Sequence, residues 1–158
     1  MRDKKHPRNP YLAVDVIVPV HFCLDGFGKI VLVSRGNEPK GLALPGGYVD
    51  YGESVEAAAV REVKEELCLD IESLTLVGVY SDPKRDPRQH IVSVAFVCDP
   101  VKKMPEAGDD AIDCAIVDVR RAMSFDLCFD HNKILVDWVN QVQKRWRIRL
   151  TGDEGYET

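Results

Sequence analysis

Three glutamates, Glu62, Glu65 and Glu66, fall at i, i+3 and i+4 in the segment Arg61-Glu62-Val63-Lys64-Glu65-Glu66-Leu67. At about 100° per residue they share one arc of a helix, while Val60, Val63 and Leu67 gather on another face. Carboxylates so placed repel by about 0.2–0.5 kcal/mol per pair unless a cation sits among them, and Lys64 points away. A solvated acidic face is one reading of this triplet. The other is a seat for a hard divalent cation, Mg2+ or Mn2+, which binds through a few carboxylates and completes its shell with water and phosphate. The residues just upstream favour the second. Leu44-Pro45-Gly46-Gly47-Tyr48-Val49-Asp50-Tyr51-Gly52-Glu53 is a glycine-rich loop that leads straight into the helix. Such a loop brings backbone close to a ligand and sets its carbonyls and amides near the carboxylates.

Two further loops carry chemistry. Residues 80–90 hold Lys84, Arg85, Arg88 and His90 between prolines, a stiff cationic loop suited to phosphate or ribose, since Arg contacts phosphate bidentately. Arg35, Arg85 and Arg88 are the candidate substrate-binding residues. The same loop also reads as a solvated hairpin connection whose charges keep a sheet edge from pairing. In residues 106–110, Glu106, Asp109 and Asp110 are candidates for a general base, which needs only one water between itself and the reacting phosphorus. An ordinary acidic turn is the alternative.

The elements that must position these groups follow from patterning. Apolar, β-branched stretches at 13–23, 30–34, 74–80, 91–98 and 111–119 are bounded by turn-rich sequence and read as strands. Residues 54–67 and 130–145 read as helices, the second from Ile134, Leu135, Trp138, Val139 and Val142. Strands mixed with two helices imply an α/β fold, one sheet with helices on its faces. The 158 residues suit a single domain spanning 1–158, with its core at 11–145 and polar, poorly ordered ends. Hydrophobic residues make up 45% and charged residues 30%, which excludes a disordered chain. The 21 Lys+Arg against 26 Asp+Glu leave a net charge of -5, which argues against binding nucleic acid or an anionic membrane through bulk charge. No signal-peptide core or membrane-length apolar run is present, so a cytoplasmic location is expected. The five cysteines lie far apart without a C-x-x-C pair, which predicts free thiols.

The loop and helix together resemble the Nudix hydrolases, whose signature is G-x5-E-x7-R-E-U-x-E-E-x-G-U, U being a bulky aliphatic. Gly47, Glu53, Arg61-Glu62-Val63-Lys64-Glu65-Glu66 and Leu69 fill that pattern in register, and Cys68 departs from it at the second glycine. The resemblance implies a Nudix-type α/β/α sandwich with a mixed β-sheet and a catalytic loop-helix-loop. It implies that Glu62, Glu65 and Glu66 hold divalent metals with the Gly46 carbonyl. Glu53 and Arg61 would form the salt bridge that ties loop to helix. A backbone position that favours glycine, occupied by Cys68, implies either mild local strain or a turn that closes differently.

The implied reaction is metal-dependent hydrolysis of a nucleoside diphosphate linked to another moiety, in which bound cations neutralise the phosphates and lower the pKa of a water. The outlying motifs, residues 81–88, 107–111 and 129–135, resemble the ADP-ribose pyrophosphatase branch, which yields AMP and ribose 5-phosphate. Alternatives are a pyrophosphatase acting on nucleoside triphosphates, oxidised ones included, or on another nucleotide sugar, and a non-catalytic nucleotide sensor. A sensor usually appends a DNA-binding domain, for which the roughly 10 and 13 residues flanking the expected core leave no room. His131, after the capping candidate Asp130, reads as structural rather than catalytic. The expected partner is a small nucleotide, and a homodimer is possible by analogy with the branch.

Overall fold

Alternation along a strand sends successive residues to opposite faces, and the two central strands here are apolar on both, the mark of a sheet covered on each side. The computed structural model describes residues 8–21, 28–107 and 111–151. In it, β1 (Tyr11–Ile17) carries Val14 and Val16 toward one layer and Ile17 toward the other. The third strand, β3 (Lys29–Arg35), divides Val31 and Val33 from Ile30 and Leu32 in the same way. The first layer is α1 (Val55–Leu67), which buries Ala58, Ala59, Val63 and Leu67. The opposite layer is α3 (His131–Thr151), which packs Ile134, Leu135, Trp138 and Val139 against Ile17, Ile30 and Leu32. This is an α/β/α sandwich.

Two four-stranded sheets form its middle, where patterning predicts one. The first runs β5 (Gly46–Tyr48), β1, β7 (Ile91–Cys98), β6 (Leu74–Tyr80), and is mixed because β1 and β7 are parallel while the other pairs are antiparallel. The second sets β3 against β2 (Pro19–His21), β4 (Gly41–Ala43) and β8 (Ala111–Asp118), all antiparallel. The stretch 13–23, expected as one strand, is divided between them. Pro19 has no N–H with which to continue the ladder, and the Val18 carbonyl accepts instead from Val31 N at 3.0 Å, carrying the chain into the second sheet. The short β4 and β5 and the single turn α2 (Val119–Ala122) are too brief for periodicity to reveal.

Helix α1 begins where expected, with Ser54 Oγ accepting from Ala57 N at 3.1 Å. Its buried stripe runs through Ala59, Val63 and Leu67 at i, i+4 and i+8, so Val60, expected on that face, is 37% exposed. It ends on Cys68 at φ 54°, ψ 30°, in the left-handed region, with the Cys68 N–H donating to Lys64 O. A side chain there costs free energy that glycine avoids, so Cys68→Gly is expected to stabilise the fold by about 0.5–1 kcal/mol, read as a rise in Tm at unchanged turnover. Helix α3 continues past residue 145 to Thr151 because no Pro or Gly intervenes before Gly152.

Among the described residues, no helix is long and apolar enough to cross a membrane. Cys68, Cys98, Cys114 and Cys128 are free thiols, and Cys23 lies outside the described residues. So do residues 1–7 and 152–158.

Candidate active site

A cation does sit among the box carboxylates, and it is Arg61. Its Nε donates to Glu53 Oε1 and its Nη2 to Glu53 Oε2, both at 2.9 Å, a fork-on-fork pair that ties the loop to α1. Nη2 also reaches the Tyr48 carbonyl at 2.9 Å, and Nη1 reaches Glu62 Oε1 at 2.7 Å and Glu65 Oε2 at 3.1 Å. The hydrogen bonds from Arg61, helped by a bond from Asp50 N, hold the Glu53 carboxyl below its ordinary range. Four groups on one planar guanidinium is a geometry that a lysine ammonium cannot copy. Arg61→Lys is therefore expected to lower kcat/KM by about 10–100-fold while leaving the protein folded, a split that steady-state kinetics and a melting curve resolve together.

Glu62 and Glu66 face a cavity of about 310 Å³, at the small end of the usual range for ligand pockets. Glu66 Oε2 accepts from Gly46 N at 3.0 Å. A Cβ added at Gly47 would collide with the Glu62 carboxylate, so only glycine lets backbone and carboxylate approach this closely. Burial pushes the Glu66 carboxyl up to about 7, with the negative charges of Glu62 and Asp15 adding to it. Burial also raises Glu62, against the pull of Arg61. Glu65 behaves differently. Its side chain is 52% exposed on the outer side of Arg61 and does not line the cavity, so among the described residues no three acidic, imidazole or thiol groups converge on one point.

The donor set nevertheless fits a hard cation. Two carboxylates whose charge burial disfavours stand beside a backbone cradle that a single methyl group would fill, and a divalent ion is what stabilises the charged form of both. The residues able to hold one are Glu62 and Glu66, with the Gly46 carbonyl alongside and Glu65 at the margin.

Facing these carboxylates is a wall built by residues 81–90 and the approach to α3. Asp82 Oδ1 accepts from Lys84 N and Asp86 Oδ1 from Arg88 N, two turns that the Asp-Pro pairs encode. Asp86 is buried and takes Arg88 in a bidentate pair, at 3.0 Å to Nε and 2.7 Å to Nη2. The Arg88 guanidinium carbon then lies 5.2 Å from the Phe129 ring centre, and that of Arg35 lies 4.9 Å from it. Phe129 itself is left-handed at φ 59°. Arg35 Nε donates to Pro39 O at 3.0 Å.

Arg85 departs from the free cation that the loop composition suggests. Its side chain is 4% exposed and is committed to two carboxylates, Asp130 Oδ1 at 2.6 Å and Asp15 Oδ2 at 3.2 Å. Asp130 thus serves Arg85, and its side chain makes no cap on α3. Lys84 and His90 are exposed, the latter with Nε2 3.3 Å from Ser81 O.

His131 is buried, as a structural reading requires, with Nδ1 accepting from Leu44 N at 2.9 Å. Glu106 is exposed at the C-terminal end of α1, where its N–H donates to Leu67 O, and it does not line the cavity. Asp109 and Asp110 lie outside the described residues. Sequence reasoning misses Asp15, Ser93 and Phe129. The available signal for Asp15 is a carboxylate in the middle of a strand that is apolar on both faces. Burial opposes its charge, but the Arg85 guanidinium and the groups that face the carboxylate, Ser93 among them, outweigh burial and hold the carboxyl below its ordinary range.

A NUDIX domain model matches residues 15–138. The chain is 42% identical over 151 residues to the ADP-ribose pyrophosphatase of Methanocaldococcus jannaschii, covering 92% of this chain and 82% of that protein. Among solved structures it resembles a MutT/nudix family protein from Enterococcus faecalis with a TM-score of 0.77 and 27% identity, over 88% of this chain and 64% of that one. The NUDIX domain of Shewanella oneidensis NrtR, crystallised with ADP ribose, superposes with a TM-score of 0.71 over 94% of each chain; at 24% identity this likeness speaks for the fold.

Proposed function

We propose that this chain, which belongs to the Nudix hydrolase family, hydrolyses ADP-ribose to AMP and ribose 5-phosphate with Mg2+ or Mn2+. The observation that carries the reading is one cavity with the Glu62 and Glu66 carboxylates on one side and Arg35 and Arg88, stacked on Phe129, on the other. A pyrophosphate bridging those two sides meets cation-binding carboxylates at one end and guanidinium groups at the other. The relative from Methanocaldococcus jannaschii supports the choice of ADP-ribose.

Divalent ions, when bound, neutralise pyrophosphate oxygens and lower the pKa of a water. The chain's own groups do the rest. Glu62 and Glu66 hold the ions, with Glu65 and the Gly46 carbonyl as further oxygens. Arg61 and Glu53 fix the loop against α1 so that those oxygens keep their spacing. Arg35 and Arg88 offer N–H groups to the substrate, while Arg85, already paired, braces the wall behind them. Water adds its oxygen to one phosphorus and the bridging oxygen leaves with the other. A box glutamate is favoured as the base over Glu106, which does not line the cavity; pH profiles of single variants, Asp109 and Asp110 included, choose among the candidates.

We further read the chain as one catalytic domain acting on a small nucleotide in the cytoplasm and without nucleic-acid binding, which the net charge of -5 supports. A panel of ADP-ribose, other nucleotide sugars, dinucleoside polyphosphates and nucleoside triphosphates, each with Mg2+ and Mn2+, tests the substrate. The highest kcat/KM is expected for ADP-ribose. A higher value for a triphosphate, with inorganic pyrophosphate as product, overturns that assignment.

A further inference from the structure

A buried polar cluster runs from the cavity floor, which Asp15 and Arg85 help to line, back to Ser93 and His131, which do not line it. Asp15 Oδ2 accepts from Ser93 Oγ of β7 at 2.5 Å and from Arg85 Nη2 at 3.2 Å, and Arg85 also holds Asp130 just ahead of α3. Asp15 Oδ1 lies 3.2 Å from His131 Nε2, in an alignment too poor for a full hydrogen bond. On the other side of the ring, Nδ1 receives the Leu44 N–H at 2.9 Å. A backbone N–H only donates, so Nδ1 presents a lone pair, and the proton of the neutral ring sits on Nε2, facing Asp15.

Leu44 opens the segment Leu44-Pro45-Gly46. Pro45 O accepts from Val16 N at 2.8 Å, and Gly46 N donates to Glu66 Oε2. The segment has no slack, since a Cβ added at Gly46 would come within 2.9 Å of Asp15 Cα. We propose that His131 is a positioning residue for hydrolysis: as the Nε2–H tautomer, which the Leu44 N–H selects and the Asp15 carboxylate faces, it anchors the Leu44 amide and thereby sets the path of the backbone from which Glu66 is oriented. The ring faces three elements, α3, β1 and the link from β4 to β5, and does not line the cavity. A displacement of about 1 Å at a reacting group is enough to cost about 100-fold in rate.

The kinetic test rests on the hydrolase reading above, and the spectroscopic one does not. In wild-type protein labelled with 15N at histidine, the ring spectrum at neutral pH is expected to show His131 as the neutral Nε2–H tautomer. An Nδ1–H tautomer or an imidazolium overturns the proposal. His131→Asn keeps an acceptor where Nδ1 stands, whereas His131→Leu keeps none. His131→Leu is expected to lower kcat by about 10–100-fold with KM little changed and to speed hydrogen exchange at the Leu44 and Gly46 amides. His131→Asn should restore most of the rate and the protection. Wild-type kcat in His131→Leu, or equal loss in the two variants while both stay folded, overturns the proposal. If His131→Leu fails to fold, the wild-type tautomer and the Leu44 protection in His131→Asn decide it. Absence of turnover in the wild type sinks the hydrolase reading instead and leaves the spectroscopic test standing.

Discussion

Replacing Glu66 by glutamine is expected to lower kcat for ADP-ribose by about a thousand-fold, the rate equivalent of ~4 kcal/mol of lost charge stabilisation, while making the metal-free protein more stable near neutral pH. Both effects have one cause. Burial in the cavity wall disfavours the Glu66 charge and raises the carboxyl from 4.5 to about 7. A carboxyl raised on folding contributes stability that is complete below the unfolded value and is lost as pH climbs through the folded one. Metal-free wild-type protein should therefore lose stability between about pH 4.5 and 7, by about 3 kcal/mol at 1.36 kcal/mol per pH unit of displacement. Glu66→Gln should flatten that slope, since an amide does not titrate. Mg2+ should raise the wild-type Tm near pH 7.5 and leave that of the variant much less changed. Denaturant titrations at several pH values, with and without Mg2+, read all three outcomes.

Removing Arg85 has the largest expected effect on folding. Its guanidinium is almost fully buried between Asp15 and Asp130, and Asp15 has lost nearly all contact with water. Arg85→Ala leaves two carboxylates facing each other without their cation, and breaking a buried pair from one side costs about 3–5 kcal/mol. Arg85→Lys restores the charge as a point and not as a fork, so it should recover part of that loss. Acid should lessen the damage, because a proton on Asp15 removes an unpaired buried charge. The variant is thus expected to fall short of wild type by less at pH 4 than at pH 7, as urea midpoints would show. An Arg85→Ala protein within 1 kcal/mol of wild type at neutral pH would mean that water reaches the cluster.

What was legible in the sequence is what the chain keeps local. Glu53, Arg61, Glu62 and Glu66 lie within 14 positions, so helical geometry alone places the two cavity glutamates on one arc, and the Glu53–Arg61 pair forms as the resemblance implies. The Cys68 departure was legible too, since a helix end that favours glycine shows up as a left-handed cysteine. Helical spacing could not tell Glu65 from its neighbours. Which of three carboxylates turns outward depends on where Arg61 sits, and that is fixed by Tyr48 O and Glu53 across the loop. The fate of the cationic loop was also hidden. Nothing in residues 80–90 says that Arg85 meets Asp15, 70 positions away, or Asp130, 45 positions away. A buried arginine and an exposed one have the same local sequence signature. The second sheet escaped for a similar reason, because the bend at Pro19 needs the Val18–Val31 hydrogen bond to define it.

The most direct measurement is a single reaction of ADP-ribose with the purified protein and Mg2+, its products resolved by chromatography beside the same reaction with Glu66→Gln and with EDTA. Stoichiometric AMP and ribose 5-phosphate from the wild type, absent from both controls, is the expected result. Unchanged ADP-ribose in the Mg2+ and Mn2+ reactions, or equal turnover by the Glu66→Gln protein, would contradict the assignment of this cavity as a metal-dependent ADP-ribose hydrolase site.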